Sequence, residues 1–331
     1  MPSKIALVFV YHLRNGAKIS PLFNLWLKTA EKNETIDFFI VSNKEMLTAL
    51  PPLTKNIHPI EMTFDQYIER LRKITGLNVD GANPYKASQY RAAIGLTFSE
   101  YLHDYDWWGY GDNDVIYGDI RKFLSEEKLS SFDKIYCFGH LTLVKNTSDN
   151  NKMFLGKVSE EDKRYPASVV FTKNILTFFD EGPFTRIFIA NGKKVYTNNN
   201  DFFDISFSSF NFVSSHEAAF QKPPYYFIWK EGKLFAISAV SKNEQPVEIC
   251  YAHFQKRKMD IDATSFSSDE IVAVPNKIAP LTSMTNKEII ECSTMKNMQW
   301  ENEQRKAQKR FEKKNRISKL KVLLSRFLFK K

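Results

Sequence analysis

The sequence predicts an α/β protein, a central sheet flanked by helices and closed by a basic helical extension. Three observations carry that reading. Two β-rich apolar runs, KIALVFVYH (4–12) and TIDFFIVSN (35–43), bracket an amphipathic segment, SPLFNLWLKTAEKN (20–33). That is the order of parallel strands joined by a crossover helix. An acidic triplet, Asp112-Asn113-Asp114, follows directly on the aromatic run 107–110, at the carboxyl end of a strand, where open α/β sheets bind ligands. Lastly, charge is segregated. Residues 305–331 hold 12 Lys and Arg against Glu312 alone, and the rest of the chain holds 35 basic and 37 acidic side chains, so the net charge of +9 belongs to the C-terminus.

Taken in order, residues 4–12 are apolar almost throughout, as expected of a strand buried on both faces. In 20–33, Leu22, Leu25, Trp26 and Thr29 recur at helical spacing behind a Ser20-Pro21 start. Residues 35–43 give the second buried strand. MTFDQYIERLRKITG (62–76) reads as a helix stopped by Gly76, and PYKASQYRAAIGLTFSEYL (84–102) as a longer helix with an apolar face through Ala93, Leu96 and Tyr101. In the strand before the triplet, Gly109 and Gly111 allow close backbone approach or a turn. DIRKFLSEEKL (119–129) predicts a short helix capped by Asp119. DKIYCFGHLTLVKN (133–146) predicts one or two strands broken at Gly139-His140. After about residue 147 the texture changes to short β-like pieces: FFDISFSSFNFV (202–213), YYFIWKEGKLFAI (225–237) with a hairpin turn at Glu231-Gly232, and VEICYAHFQKR (247–257). From about 285 the chain is helical and increasingly basic.

Composition excludes several classes. With 43% apolar and 26% charged residues the chain is ordinary globular material, long enough to bury a substantial core. Cys137, Cys250 and Cys292 have neither CxxC nor zinc spacing and form no disulfide framework, which suits a reducing compartment. The N-terminal apolar run is read as a strand rather than a signal peptide, and no run reaches the ~18 apolar residues of a spanning helix. P-loop, GxSxG and HExxH patterns are absent from the sequence.

Asp112 and Asp114 lie inside DWWGYGDNDVIYGDIRKF (106–123), an otherwise aromatic and aliphatic stretch. Acids enter such surroundings to cap a turn, or because they are paired or hold a cation. As hard oxygen ligands one residue apart they suit Mg²⁺ or Mn²⁺, which would in turn hold a diphosphate, and their position past a strand favours that use. Three other places carry chemistry with an ordinary alternative. Asp180-Glu181, after SVVFTKNILTFF, is a loop acid pair or a general base. His253 in YAHFQKRKM is a surface-strand histidine or a further metal ligand. His140 in FGHLTL is a core histidine or a substrate contact.

The segment WWGYGDNDVIYGDIRKFL (107–124) resembles the DxD-bearing segment of a group of bacterial glycosyltransferase-like proteins from polysaccharide gene clusters, nucleotide-sugar-dependent proteins of the GT-A fold. NLWLKTAEKNETIDFFIVSN (24–43), NPYKASQYRAAIG (83–95), GHLTLVKNT (139–147), FFDEGPF (178–184) and YAHFQKRKM (251–259) are similar to further blocks of that group, in the same order. Where the group's pattern has an acid and a proline, this chain has Gln89 and Ala92. The resemblance implies a Rossmann-type mixed central sheet and transfer of a sugar from a nucleotide donor, a UDP-sugar, to a glycan acceptor of capsule or lipopolysaccharide. It implies Mn²⁺ or Mg²⁺ on Asp112, Asp114 and His253. It places Tyr11, Lys86, Arg91, Asn113, Gln255 and Lys256 around the nucleotide sugar, with Arg257 as a further donor to the diphosphate. Asp180 or Glu181 would be the catalytic base, and His140 would reach the acceptor or substrate. One domain is expected over 1–284, its nucleotide half ending near 147 and its acceptor half spanning 148–284. Two alternatives use the same residues: a sugar-nucleotide hydrolase or nucleotidyltransferase, and a glycan- or nucleotide-binding protein without turnover.

The tail, 285–331, ends in an amphipathic pattern. Ile317, Leu320, Leu323, Leu324, Phe327 and Leu328 fall on one side of a helical wheel, with Lys319, Arg326 and Lys330 opposite. That stripe predicts an in-plane helix on an anionic membrane surface, placing the protein in the cytoplasm, peripheral on the inner face of the membrane. A nucleic-acid arm needs charge but no such stripe, which argues against it.

Overall fold

The computed structural model describes residues 2–328 except 14–15, 217–219, 242–243 and 256, with 323–328 described by their helical path alone. The first half runs β1 (Ile5–Val10), α1 (Pro21–Glu31), β2 (Ile36–Ser42), β3 (Ile57–Glu61), α2 (Phe64–Thr75), β4 (Trp107–Gly111), β5 (Val115–Tyr117), β6 (Lys134–Phe138) and β7 (Leu141–Lys145). The second half runs α3 (Gly182–Ala190), β8 (Val195–Tyr196), β9 (Phe203–Asp204), β10 (Tyr225–Lys230), β11 (Lys233–Ser238), β12 (Val247–Ile249) and β13 (Tyr251–His253). It closes with β14 (Asp260–Ile261), β15 (Glu270–Val274), β16 (Lys277–Pro280), α4 (Asn286–Thr294) and α5 (Met298–Leu328). Shorter helical turns lie between them.

The main sheet has the order β3-β2-β1-β4-β7-β6-β8. β3, β2, β1 and β4 are mutually parallel, and β7 runs antiparallel to β4. The fold is thus α/β with a mixed central sheet, as the sequence predicts. The alternation of β1 explains its apolar run: Ile5, Leu7 and Phe9 enter one core with Trp26 and Phe38, while Ala6 and Val8 enter the other with Tyr90 and Trp108. Helix α1 is capped by Ser20, whose Oγ accepts from the Leu22 amide at 3.3 Å. It is apolar on two sides because it is sandwiched. Phe23 and Trp26 meet the main sheet, while Leu22 and Leu25 meet Phe227 and Trp229 of a second sheet.

That second sheet, β12-β11-β10-β15-β16-β14, is antiparallel except for the parallel β14–β16 pair. Its β10–β11 hairpin turns at Glu231 (φ 48°) and Gly232 (φ 85°), both left-handed as a two-residue hairpin turn of the right twist requires. A third, three-stranded sheet, β5-β13-β9, ties the two together.

Two expectations change in the structure. Residues 84–102 do not form one helix but a chain of short turns, tightening to 3₁₀ geometry at Pro84–Lys86 and Arg91–Ala93. The break falls where Arg91 is drawn into polar contacts described below. Residues 202–213 are not a long strand: Phe203–Asp204 forms a two-residue strand with isolated bridges at Ile205 and Phe212, because the loop between them curls around Arg257. The guanidinium collects the carbonyls of Phe210 (2.6 Å), Ser209 (2.7 Å) and Ser206 (3.3 Å). The C-terminal helix packs on the body. Trp300 packs on Phe210 with Arg257 stacked 4.6 Å over its ring, Phe311 meets Phe178 at 6.3 Å, and Asn315 Nδ2 donates to the Leu176 carbonyl at 3.0 Å. Ile317 and Leu320 of the apolar stripe are exposed, and the side chains of Leu323, Leu324, Arg326, Phe327, Leu328 and Lys330 lie outside the described residues. Among the described residues no helix is long and apolar enough to cross a membrane.

Candidate active site

After β1 the chain builds outward through β2 and β3, then returns to place β4 on the other side of β1. The carboxyl ends of β1 and β4 therefore flank a topological switch point, where a crevice opens in doubly wound sheets. Tyr11 follows β1 and Asp112 follows β4 at that point. Gly111 ends β4 where a Cβ would come within 2.8 Å of the His140 carbonyl and 3.1 Å of Phe9, so only glycine lets the sheet pack this closely beside the triplet.

The third sheet delivers the late histidine. β13 pairs antiparallel with β5, setting His253 opposite Val115, the residue after Asp114. The Phe254 amide donates to the Asp114 carbonyl at 2.9 Å. His253 Nε2 consequently lies 3.4 Å from Asp114 Oδ1 and 3.7 Å from Asp112 Oδ2. One ligand atom from each of Asp112, Asp114 and His253 falls within 4.8 Å of the others. The other imidazole nitrogen is also engaged. β9 runs parallel to β13 with Asp204 opposite His253, and Asp204 Oδ1 lies 2.8 Å from His253 Nδ1. Gln255, held in a left-handed conformation (φ 52°), donates its amide to the same oxygen at 2.8 Å.

Burial works against a charge on His253, but Asp114 and then Asp204 push its pKa up to about 10. Asp204 is held down to about 2 against its own burial, chiefly by the hydrogen bond from His253 and then by the nearby His140 and His253 imidazoles. Two carboxylates and an imidazole whose far nitrogen is fixed by a further carboxylate form a donor set that fits a hard or borderline divalent cation. The fit is a property of the residues themselves: a cation would replace the proton that His253 now holds between the acids.

Arg91 is the second centre. Buried, it donates from Nη2 (2.6 Å) and Nε (3.0 Å) to Asp180 Oδ2, and from Nη1 to Asp112 Oδ1 (2.8 Å) and the Gly111 carbonyl (2.9 Å). Opposing the cost of burial, Arg91 and then His253 hold Asp112 well below the usual carboxylate range. Asp180 is fully buried, and Tyr110 donates its hydroxyl to the Asp180 carbonyl. Glu181 is partly exposed, and burial followed by the neighbouring Asp180 and Asp112 charges pushes its pKa up to about 8. The turn between β6 and β7 runs against this cluster. A Cβ on Gly139 would sit 2.7 Å from Arg91 Nη2 and 3.0 Å from Glu181 Oε1.

The structure thus brings together Asp112, Asp114, His253, Arg91, Asp180 and Glu181, and sets His140 beside them. The His140 ring lies 4.6 Å from that of His253, its Nδ1 lies 2.7 Å from the Tyr251 hydroxyl, and its Nε2 is buried without a partner among the described residues. Burial, then the His253 charge, lowers it to about 3, so it is neutral. Asn113 is partly exposed between the two acids. Tyr11 stacks on Phe23 at 5.8 Å and keeps part of its ring exposed. Other expected nucleotide contacts are spent elsewhere. Lys86 is fully buried, with Nζ 2.5 Å from the Lys173 carbonyl and 3.3 Å from Asp80, and offers nothing to a phosphate. Arg91 serves Asp112 and Asp180, Arg257 serves the 206–210 loop, and Gln255 serves Asp204. Lys256 lies outside the described residues. Asp204 is the residue the sequence did not single out; its signal is one acid in the apolar run FFDISF.

The solved structures to which the chain is similar include mouse xyloside xylosyltransferase 1 in its apo form, at 10% identity and a TM-score of 0.41, covering 61% of this chain and 87% of that one. The galactosyltransferase LgtC in complex with donor and acceptor sugar analogues aligns at 17% identity and a TM-score of 0.38, over 76% of this chain and 87% of that one. An active-site mutant of LgtC aligns at 15% identity and 0.36, over 76% and 88%. No curated protein matches the chain. A family model does match, over residues 12–282, a stretch that holds the main sheet from the end of β1, the acidic triplet, Arg91, Asp180, Glu181, Asp204 and His253, and the chain accordingly belongs to the family of unknown function DUF6625.

Proposed function

We propose that this protein is a divalent-metal-dependent glycosyltransferase that moves a sugar from a nucleotide donor, a UDP-sugar, to a glycan acceptor, free or lipid-linked, in surface polysaccharide synthesis. The observation that carries the reading is the convergence of Asp112, Asp114 and His253 at the switch point of the main sheet. Asp112, Asp114 and His253 would hold Mn²⁺ or Mg²⁺, which when bound supplies Lewis-acid screening of the charge that grows on a departing diphosphate.

The chain's own residues supply the rest. Asp204 holds the His253 ring so that Nε2 faces the two acids. Arg91 keeps Asp112 ionised and ties it to the 180–181 segment. Asp180 is committed to that ion pair, so Glu181, partly exposed and with a pKa near neutrality, is the better base. In an inverting transfer Glu181 takes the proton of the acceptor hydroxyl. The acceptor oxygen then bonds to the anomeric carbon, and the anomeric C–O bond breaks with its electron pair leaving on the nucleoside diphosphate. The basic C-terminal helix is the proposed membrane attachment, which puts the reaction on the cytoplasmic face.

Thermal-shift titration with UDP, GDP, CDP and dTDP sugars, with and without Mn²⁺, tests the reading. A UDP-sugar should stabilise the protein only with Mn²⁺ present, and Asp114→Ala should abolish that response. Donor binding that ignores both the metal and the substitution would overturn the assignment. Product analysis then separates transfer from hydrolysis, because a hydrolase releases free sugar without acceptor.

A further inference from the structure

A cavity of about 360 Å³ lies where the C-terminal helix α5 meets the body. Its polar and aromatic lining comes from three separate stretches of chain: Asn83 and Tyr85, Asn174, and Phe311, Asn315 and Ser318 of α5. Three primary amides, two hydroxyls and two rings face one space, and among the described residues no acid lines it. Among the described residues Lys314 is its one charged lining residue. Each amide carries two donors and an acceptor with two lone pairs. Among the described residues they hydrogen-bond through Asn83 Nδ2 to Asn174 Oδ1 at 3.4 Å, the Tyr85 amide to Asn83 Oδ1 at 3.1 Å, and Asn315 Nδ2 to the Leu176 carbonyl at 3.0 Å. The Tyr85 ring is 42% exposed beside them.

The cavity is joined to the active site by two parallel stretches. Gln89 fastens them, donating to the Ile175 carbonyl at 2.8 Å and accepting from the Thr177 amide at 2.6 Å. Further along the same stretches, Arg91 grips Asp180. Between the two fasteners Phe178 adopts a left-handed conformation (φ 53°), is 41% exposed and meets Phe311. For a bulky aromatic residue such a φ is costly, so this stretch is held by its surroundings. From Ile175, on the cavity wall, to Glu181 is six residues, at most about 20 Å of extended chain.

We infer that this cavity is an acceptor subsite that takes a sugar ring of the glycan, several units away from the hydroxyl presented to Glu181. Amide and hydroxyl groups match the mixed donors and acceptors of a polyol, aromatic side chains in the lining suit the apolar face of a pyranose, and the near absence of charge disfavours a nucleotide's phosphates. The inference rests on the glycosyltransferase reading and adds to it that α5 is part of the substrate site.

The test applies the full-length protein to an array of defined neutral and acidic oligosaccharides, and in parallel titrates UDP in the presence of Mn²⁺. The wild type should retain at least one oligosaccharide. Tyr85→Ala, which alters an exposed ring, and Asn315→Ala should each weaken that retention by ~10-fold, the loss of one hydrogen bond or packed ring, while UDP binding stays unchanged. Retention of no glycan, or retention unaffected by both substitutions, would overturn the subsite even if UDP binds normally. Glycan retention sensitive to both substitutions but without Mn²⁺-dependent UDP binding would uphold the cavity as a glycan site and remove the transferase reading instead.

Discussion

Burial raises the pKa of both adjacent acids, Asp180 and Glu181, but Asp180 is hydrogen-bonded to a guanidinium. Removing the charge of Asp180 leaves Arg91 buried with a lost partner, and a broken buried pair costs about 3–5 kcal/mol. Asp180→Asn should therefore act first on folding. Glu181 keeps its proton until about pH 8, and a base is competent only once that proton is gone. Turnover should consequently climb with pH through about 8 and level off above it. Glu181→Gln should lower turnover by ~10²–10⁴ at every pH and flatten that climb, with UDP binding kept. Steady-state rates across the pH range check it: a wild-type profile flat through pH 8, or normal turnover in the Gln variant, assigns the base elsewhere. At this scale the sequence was readable in part. Asp112 and Asp114 stand out because acids in an aromatic run need a reason. Lys86 and Arg91 look like exposed helix cations in sequence, and their burial is decided by Asp80, Lys173 and Asp180, none adjacent in the chain.

The smallest sheet has the largest effect on the site. β5, β13 and β9 are two to three residues long, yet their register alone puts His253 between the triplet and Asp204. Replacing Asp204 by Asn removes the charge that orients the imidazole, and the loss of such an outer partner typically lowers metal affinity ~10–100-fold. Calorimetric titration of Mn²⁺ into the Asp204→Asn variant should show that drop. An affinity equal to wild type would make Asp204 a packing residue only. Strands with continuous apolar runs, β1 and β2, were legible because burial on both faces leaves an unmistakable pattern. Three-residue strands leave none, and the long helix expected over 84–102 shows why periodicity can mislead: apolar spacing survives in a string of helical turns even where polar contacts to Arg91 break the axis.

For the molecule as a whole, charge and shape part company along α5. Residues up to about 319 are docked on the body by Trp300, Phe311, Asn315 and the Lys319 contact with Tyr165 at 5.6 Å, while Ile317 and Leu320 face outward. Deleting 305–331 would thus remove part of the cavity wall, whereas deleting 323–331 leaves all of its described lining residues in place. The shorter deletion should reduce co-sedimentation with anionic liposomes. Binding by the full chain should weaken as salt rises but persist in part, since each Lys or Arg near the surface adds about 1 kcal/mol that ions screen and the apolar stripe adds burial that they do not. Equal sedimentation of the two proteins would refute the attachment. The sequence showed the basicity and stripe of this helix, but its docking depends on the 174–178 and 206–210 loops, whose paths no local pattern encodes.

Arg91 has one positive charge and two carboxylates to satisfy, Asp112 toward the triplet and Asp180 toward Glu181. A charge arriving at either end changes how firmly the guanidinium is held at the other. Whatever binds beside Asp112 is in this way coupled to whatever binds beside Glu181, and thermodynamic reciprocity makes the influence equal in both directions. The affinities for donor and acceptor would then be tied together through a single shared side chain.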